Sequence, residues 1–211
     1  MDRETGQRPK GTGRPQPDSP PPELILASGS PRRKALLAEA GIPFTAFPAA
    51  IDETPLPGEE PDAYVFRVAR AKAAHVGRLF PGRLILAADT AVDLDGRILG
   101  KPHGPEGVRT MLECLSGRSH RIVTAVVLHR EVPRLDAVRL VSSKVTFRTL
   151  RPEEIERYVA SGEGEDKAGG YGIQGQAGRF VASYEGSYSN IVGLPMEAVL
   201  ELLSSVAAEE R

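Results

Sequence analysis

Only one cysteine, Cys114, and no tryptophan occur in the chain of 211 residues. A single cysteine excludes an internal disulfide framework. Cys114 lies beside Leu112 and Leu115 in a helical pattern, and it reads as a small core residue. Aromatic residues reach only 5% and are not interleaved with basic ones, which argues against single-stranded nucleic acid as a ligand. Neither sign of charge dominates: 27 Lys and Arg face 28 Asp and Glu. No global field therefore draws the chain to nucleic acid or to an anionic membrane, and a basic site must be local. No apolar run approaches the roughly 20 residues that cross a bilayer. The opening "MDRETGQRPK" lacks the apolar core of a signal peptide. The expectation is a cytoplasmic protein that binds neither nucleic acid nor membrane.

Several motifs are also missing. No Gly-x4-Gly-Lys-Ser/Thr phosphate loop occurs, and no Gly-x-Ser-x-Gly elbow. His75, His103, His120 and His129 show no metal-ligand spacing. A formal Gly-x-Gly-x-x-Gly does occur at Gly170, Gly172 and Gly175. It follows a helical pattern and leads into the strand-like "RFVASY", whereas a dinucleotide fingerprint follows a strand and opens a helix, so that reading fails.

A hydrophobic content of 40% with 26% charged residues fits a globular domain. Residues 1–22 hold six prolines and three glycines and have no aliphatic residue beyond Met1, so they read as a disordered tail before a domain over 23–211. From there strand and helix patterns interleave. Leu24 to Ala27 reads as a buried strand. Ser30, Pro31 and Gly41 read as the cap, first residue and stop of a helix. Residues 62–79 read as a helix with Val65, Val68, Ala69, Lys72 and Val76 on one stripe. "RLILAADTAVDLDGRILGKP" reads as two strands about an Asp95-Gly96 turn. A helix through Val108 and Leu115, strands over 122–128 and 138–150, a helix ending at Gly162, a strand over 179–188 and a helix from Pro195 complete the pattern. The class is α/β with a mixed sheet.

Four features carry possible chemistry. Arg32 and Arg33 open a helix, where the backbone dipole disfavours cations unless an anion sits among them. With Ser28, Gly29 and Ser30 they could grip a polyphosphate, or they could be two solvated surface charges. Lys72 falls on the apolar stripe, where a lysine either meets an anion or snorkels out. Asp89 ends the buried run Leu84 to Ala88, a position from which a carboxylate can hold Mg²⁺ or orient water; the bland alternative is that Asp89 and Thr90 cap a turn. Glu53 and Lys101 are loop charges that could join either kind of site or face solvent. Finally, "DKAGGYGIQGQAG" places five glycines over residues 166–178, which suggests close packing on a ligand or on other backbone. Gln174 within it could read a base edge or simply bond within the loop.

The motifs "LASGSPRRKALL", "ARAKA", "AADTAV", "LGKP", "LSGRSH", "TAV", "DKAGGYGIQG" and "GSYSNIVGLP" occur in an order that resembles the Maf family of nucleoside triphosphate pyrophosphatases, from Leu24 to about Leu203. The resemblance implies a long mixed sheet with two lobes around a cleft, similar to inosine triphosphate pyrophosphatases, and a homodimer. It implies hydrolysis of a nucleoside triphosphate to the monophosphate and pyrophosphate, with Mg²⁺ or Mn²⁺. The catalytic position falls on Asp89. Substrate-binding positions fall on Ser28, Arg32, Arg33, Glu53, Lys72, Thr90, Lys101 and Gln174, and those linked to base selectivity on Arg32, Thr90 and Gln174. Asp89 and Glu53 are the expected metal ligands. "DKAG-x-YGIQG" resembles the branch acting on dTTP, UTP and modified pyrimidine triphosphates. The family's name, from an effect on septum formation, leaves a second possibility: a nucleotide-binding regulator of cell division acting through partners.

Overall fold

The computed structural model describes residues 24–209; the expected tail over 1–22 and the domain boundary at Glu23 lie outside the described residues. Seven strands form one mixed sheet. They are β1 (Leu24–Leu26), β2 (Thr45–Ala46), β3 (Leu84–Leu94), β4 (Arg97–Leu99), β5 (Ser119–Arg130), β6 (Leu135–Phe147) and β7 (Val181–Glu185). Their order is β2-β1-β3-β5-β6-β7, with β4 joined to β3 off that path. β1 runs parallel to β2 and β3, and the other pairs are antiparallel. The helices are α1 (Pro31–Glu39), α2 (Pro61–Leu79), α3 (Gly104–Leu115), α4 (Pro152–Ala160), α5 (Tyr188–Val192) and α6 (Met196–Glu209).

Local signals account for most boundaries. The Ser30 hydroxyl accepts from the Arg33 amide, Pro31 takes the first turn of α1, and Gly41 leaves it at φ 68°. Asp95 and Gly96 both have positive φ, as a two-residue hairpin turn of the primed type requires. The late strand is shorter than its pattern: Gln176–Phe180 forms a 3₁₀ turn, and Ser187 caps α5. Neither β2, with two residues, nor α5, with five, is long enough to show a periodicity.

Alternation along the strands divides the core. Ile25, Ala27, Ile85, Ala87, Val123 and Val127 pack under α2, through Val65, Val68, Ala69 and Val76. Leu24, Leu26, Leu86, Ala88, Val126 and Leu128 point the other way, onto Leu37 of α1 and Val199 and Leu202 of α6. A separate cluster fills the far end of the sheet, where Val92, Leu94, Ile122, Val145 and Phe147 meet α3, α4 and Phe180. Cys114 is half-buried against that cluster. These are two lobes on one continuous sheet.

Between the lobes the sheet has a gap. β5 covers one edge of β3 from Ile85 to Asp93. On the other edge β1 pairs with residues 84–86 and β4 with residues 92–94. Residues 87–91 therefore have no strand partner on that edge among the described residues. A cleft of about 900 Å³ opens over the gap.

Candidate active site

Asp89 sits at the middle of this gap. It does not end a strand, as its hydrophobic run suggested, because β3 continues unbroken to Leu94. The turn-capping alternative falls with it. The parity of β3 turns Asp89 toward α2, the side of Ala87 and Ala91, and Thr90 toward the side of α1 and α5. The cleft therefore reaches one strand from both faces of the sheet.

Lys72 meets Asp89 from α2. Its ammonium donates to Asp89 Oδ1 at 2.7 Å and to Glu53 Oε2 at 2.8 Å. Both Lys72 and Asp89 are buried. Burial pushes the Asp89 carboxyl above the usual carboxylate range, opposed by the charges of Lys72 and Arg33. Asp89 Oδ2 is buried with no hydrogen-bond partner among the described residues. An unsatisfied buried acceptor costs on the order of 1–3 kcal/mol, so a ligand that meets it recovers that cost.

The two arginines differ. Arg33 bends back onto the protein: Nε donates to the Gly193 carbonyl at 2.8 Å, Nη1 to Ser28 Oγ at 3.3 Å and Nη2 to Thr90 Oγ1 at 3.1 Å. Burial lowers its pKa, while Asp89 and Glu53 raise it. The Arg32 side chain makes no hydrogen bond among the described residues and lines the cleft. Ser28 is buried, and its hydroxyl also accepts from the Ser30 amide at 3.2 Å. Thr90 pairs across the sheet with Thr124, their hydroxyls 2.9 Å apart.

Lys101 and Gln174 are exposed residues on the cleft wall. Gln174 rides on the glycine-rich segment, which packs closely on other backbone. A Cβ on Gly164 would lie 2.2 Å from the Gly170 carbonyl, and one on Gly169, at φ 71°, would lie 2.7 Å from Val92. Gly169 N–H donates to the Gly100 carbonyl at 2.9 Å, which ties this segment to the loop bearing Lys101. Tyr171 anchors it from beneath, its hydroxyl 2.7 Å from His120 Nε2. Burial holds His120 down to about 4.

All eight expected binding residues thus line one cleft. Sequence reading passed over Thr124, Gly193 and the Tyr171–His120 pair, whose partners are set by strand register and loop path. It also passed over Tyr64, although Tyr64, Val68 and Lys72 are spaced by four along α2.

The donor set was tested against a divalent ion. Among the described residues no group of three or more His, Cys, Asp or Glu side chains is gathered for a metal. Two carboxylates, one with an unpartnered buried oxygen, do fit Mg²⁺ or Mn²⁺, since Mg²⁺ is commonly held by one or two carboxylates and completed by water and phosphate oxygens.

Fold and cleft define a mixed-sheet α/β protein with a carboxylate–lysine centre in a cleft that the start of α1 also lines. The chain belongs to the Maf family, whose model, described as Maf-like protein, matches residues 23–206. It is 50% identical over 186 residues to the dTTP/UTP pyrophosphatase of Anaeromyxobacter dehalogenans, covering 86% of this chain and 93% of that one. The dTTP/UTP pyrophosphatase of a Geobacter species is 47% identical over 185 residues, with 88% and 96% covered. That of Moorella thermoacetica is 47% identical over 182 residues, with 86% and 94% covered. The solved Ham1 protein of Staphylococcus aureus is 12% identical with a TM-score of 0.42, over 59% of this chain and 71% of that one, which is too slight a likeness to carry an argument.

Proposed function

We infer that this protein is a nucleoside triphosphate pyrophosphatase acting on dTTP and UTP and on modified pyrimidine triphosphates, releasing the monophosphate and pyrophosphate. The observation that carries this reading is Asp89: a buried carboxylate in a sheet gap on the wall of a cationic cleft, with one oxygen on Lys72 and the other buried without a hydrogen-bond partner among the described residues. The relatives named above bear the same activity in their names.

Arg32 at the start of α1 takes the phosphates, helped by Lys101. Arg33 fixes Ser28 and Thr90 at the cleft wall. Asp89 Oδ2 orients a water and takes its proton; a carboxyl raised by burial is a stronger base than an exposed one. The water oxygen bonds to the α-phosphorus, the α–β bridging bond breaks, and pyrophosphate leaves with the electron pair. Lys72 holds Asp89 Oδ1 and Glu53 in place and offsets their charge. Asp89 and Glu53 would hold a divalent cation, which supplies positive charge to the phosphate oxygens. Gln174 reads the base edge, with Thr90 and Arg32 lining the same cleft. The reading is of a homodimer in the cytoplasm.

Product analysis tests it. The protein is incubated with Mg²⁺ or Mn²⁺ and each of dTTP, UTP, CTP, ATP, GTP and dITP, with Asp89→Asn in parallel. Monophosphate plus pyrophosphate from dTTP and UTP, absent in the variant, is the expected result. Nucleotide binding without turnover on any triphosphate would overturn it in favour of the regulator of septum formation.

A further inference from the structure

Glu53 is a loop residue with a half-exposed side chain, and among the described residues its carboxylate bonds only to Lys72. A free loop carboxylate would spend most of its time elsewhere, since fixing one residue's backbone costs roughly 1–2 kcal/mol. The backbone of this loop is held from α2. The Tyr64 hydroxyl donates to the Glu53 carbonyl at 3.0 Å, and Arg67 Nη2 donates to the next carbonyl, that of Thr54, also at 3.0 Å. The Thr54 amide donates to Asp52 Oδ1 at 2.9 Å, so the peptide after Glu53 is gripped at both its polar groups. Arg67 also forks onto Glu59, Nε to Oε1 at 2.6 Å and Nη2 to Oε2 at 2.7 Å, and Glu59 Oε2 accepts the Leu56 amide at 2.9 Å. The Arg67 guanidinium lies 5.7 Å from the Tyr64 ring centre. Tyr64, Arg67 and Lys72 thus belong to one rigid helix.

We propose that Tyr64 and Arg67 are positioning residues that lock loop 52–59 onto α2, so that Glu53 meets Lys72 beside Asp89 before substrate arrives. The inference rests on the pyrophosphatase reading of Glu53. Because one helix carries both the lysine and the two groups that hold the loop, the spacing between Glu53 and Lys72 is set by helix geometry and not by the loop's own stiffness.

The test compares Tyr64→Phe, Arg67→Lys and Glu53→Gln, alone and combined, by kcat/KM on dTTP and by amide hydrogen exchange over 52–59. Arg67→Lys keeps the charge but loses the fork. Tyr64→Phe and Arg67→Lys are each expected to lower kcat/KM about tenfold, since small misplacements of catalytic groups are costly. Each should speed exchange over 52–59 and leave the core amides of β3 protected. In the Glu53→Gln background neither should lower kcat/KM further. Independent, multiplying losses, or unchanged kcat/KM in both single variants while Glu53→Gln is impaired, overturn the inference alone. A fully active Glu53→Gln overturns the role of Glu53, and the inference with it.

Discussion

In one part of the cleft Asp89, Lys72 and Glu53 are joined at 2.7 and 2.8 Å, two of the three buried and both carboxylates held by a lysine from a 19-residue helix. In another part Gln174 stands exposed on a glycine-rich segment with no long helix or strand of its own. That segment is held by backbone bonds and by one buried hydroxyl–imidazole pair. The first group has its charges joined by the protein's own hydrogen bonds, which is how a site stabilises charge that develops during a reaction. The second offers a donor and an acceptor on a closely packed loop. In the proposed function chemistry thus falls to residues fixed by β3 and α2, and discrimination to a loop.

Four changes would break or sharpen that contrast. Asp89→Asn should reduce kcat by at least about 10³-fold, roughly 4 kcal/mol, while nucleotide affinity stays within a few-fold; a variant of unchanged rate would remove Asp89 from the chemistry.

The His120 anchor of the glycine-rich segment should respond to pH through stability. His120 has a folded value of about 4 against an ordinary 6.5, so between these values the unfolded chain binds a proton that the folded chain does not. Stability contributed by neutral His120 is present above pH 6.5 and is lost as pH falls toward 4, on the order of 3 kcal/mol in all. Urea unfolding across that range should show the decline and His120→Gln should flatten it; parallel declines in both proteins would assign the effect elsewhere.

Lys72→Met should cost about 10²-fold in kcat. Lys72 is the largest influence holding the Asp89 carboxyl down, so its loss raises that carboxyl further and moves the acid limb of the rate profile to higher pH. An acid limb that stays in place would separate Lys72 from Asp89 electrostatically.

Gln174→Ala should have the smallest effect, about tenfold in the ratio of kcat/KM between dTTP and a purine triphosphate, with less change on dTTP itself. Equal losses on every triphosphate would mean that Gln174 supports the loop and reads no base.

Much of the site was legible along the chain because each part is local. The clash of Arg32 and Arg33 with a helix start, and Lys72 on an apolar stripe, are departures from ordinary patterning of the kind functional sites produce. What Arg33 does was not legible. Its polar partners include the carbonyl of Gly193, 160 residues away, and Thr90, 57 residues away. Asp89 was placed at the wrong point of its strand because a hydrophobic run can end while the ladder continues; β5 pairs with β3 well past Asp89. The span of α2, the presence of a helix through Val108 and Leu115 and the hairpin at Asp95-Gly96 followed from periodicity and turn residues, whereas β2 and α5 are too short to have a period.

The order of residues alone established which face of each element is apolar, where helices start and stop, and that cations, a carboxylate and a glycine-rich segment are present to be combined. Those properties depend on backbone periodicity and caps, which act over a few residues. Folding settled which of them meet. The gap in the sheet exists because β1 and β4 reach the same edge of β3 five residues apart, and the parity of β3 then turns Asp89 to Lys72 and Thr90 to Arg33. Register between distant strands is the sum of many weak contacts spread over both lobes, so no short stretch of the chain contains it.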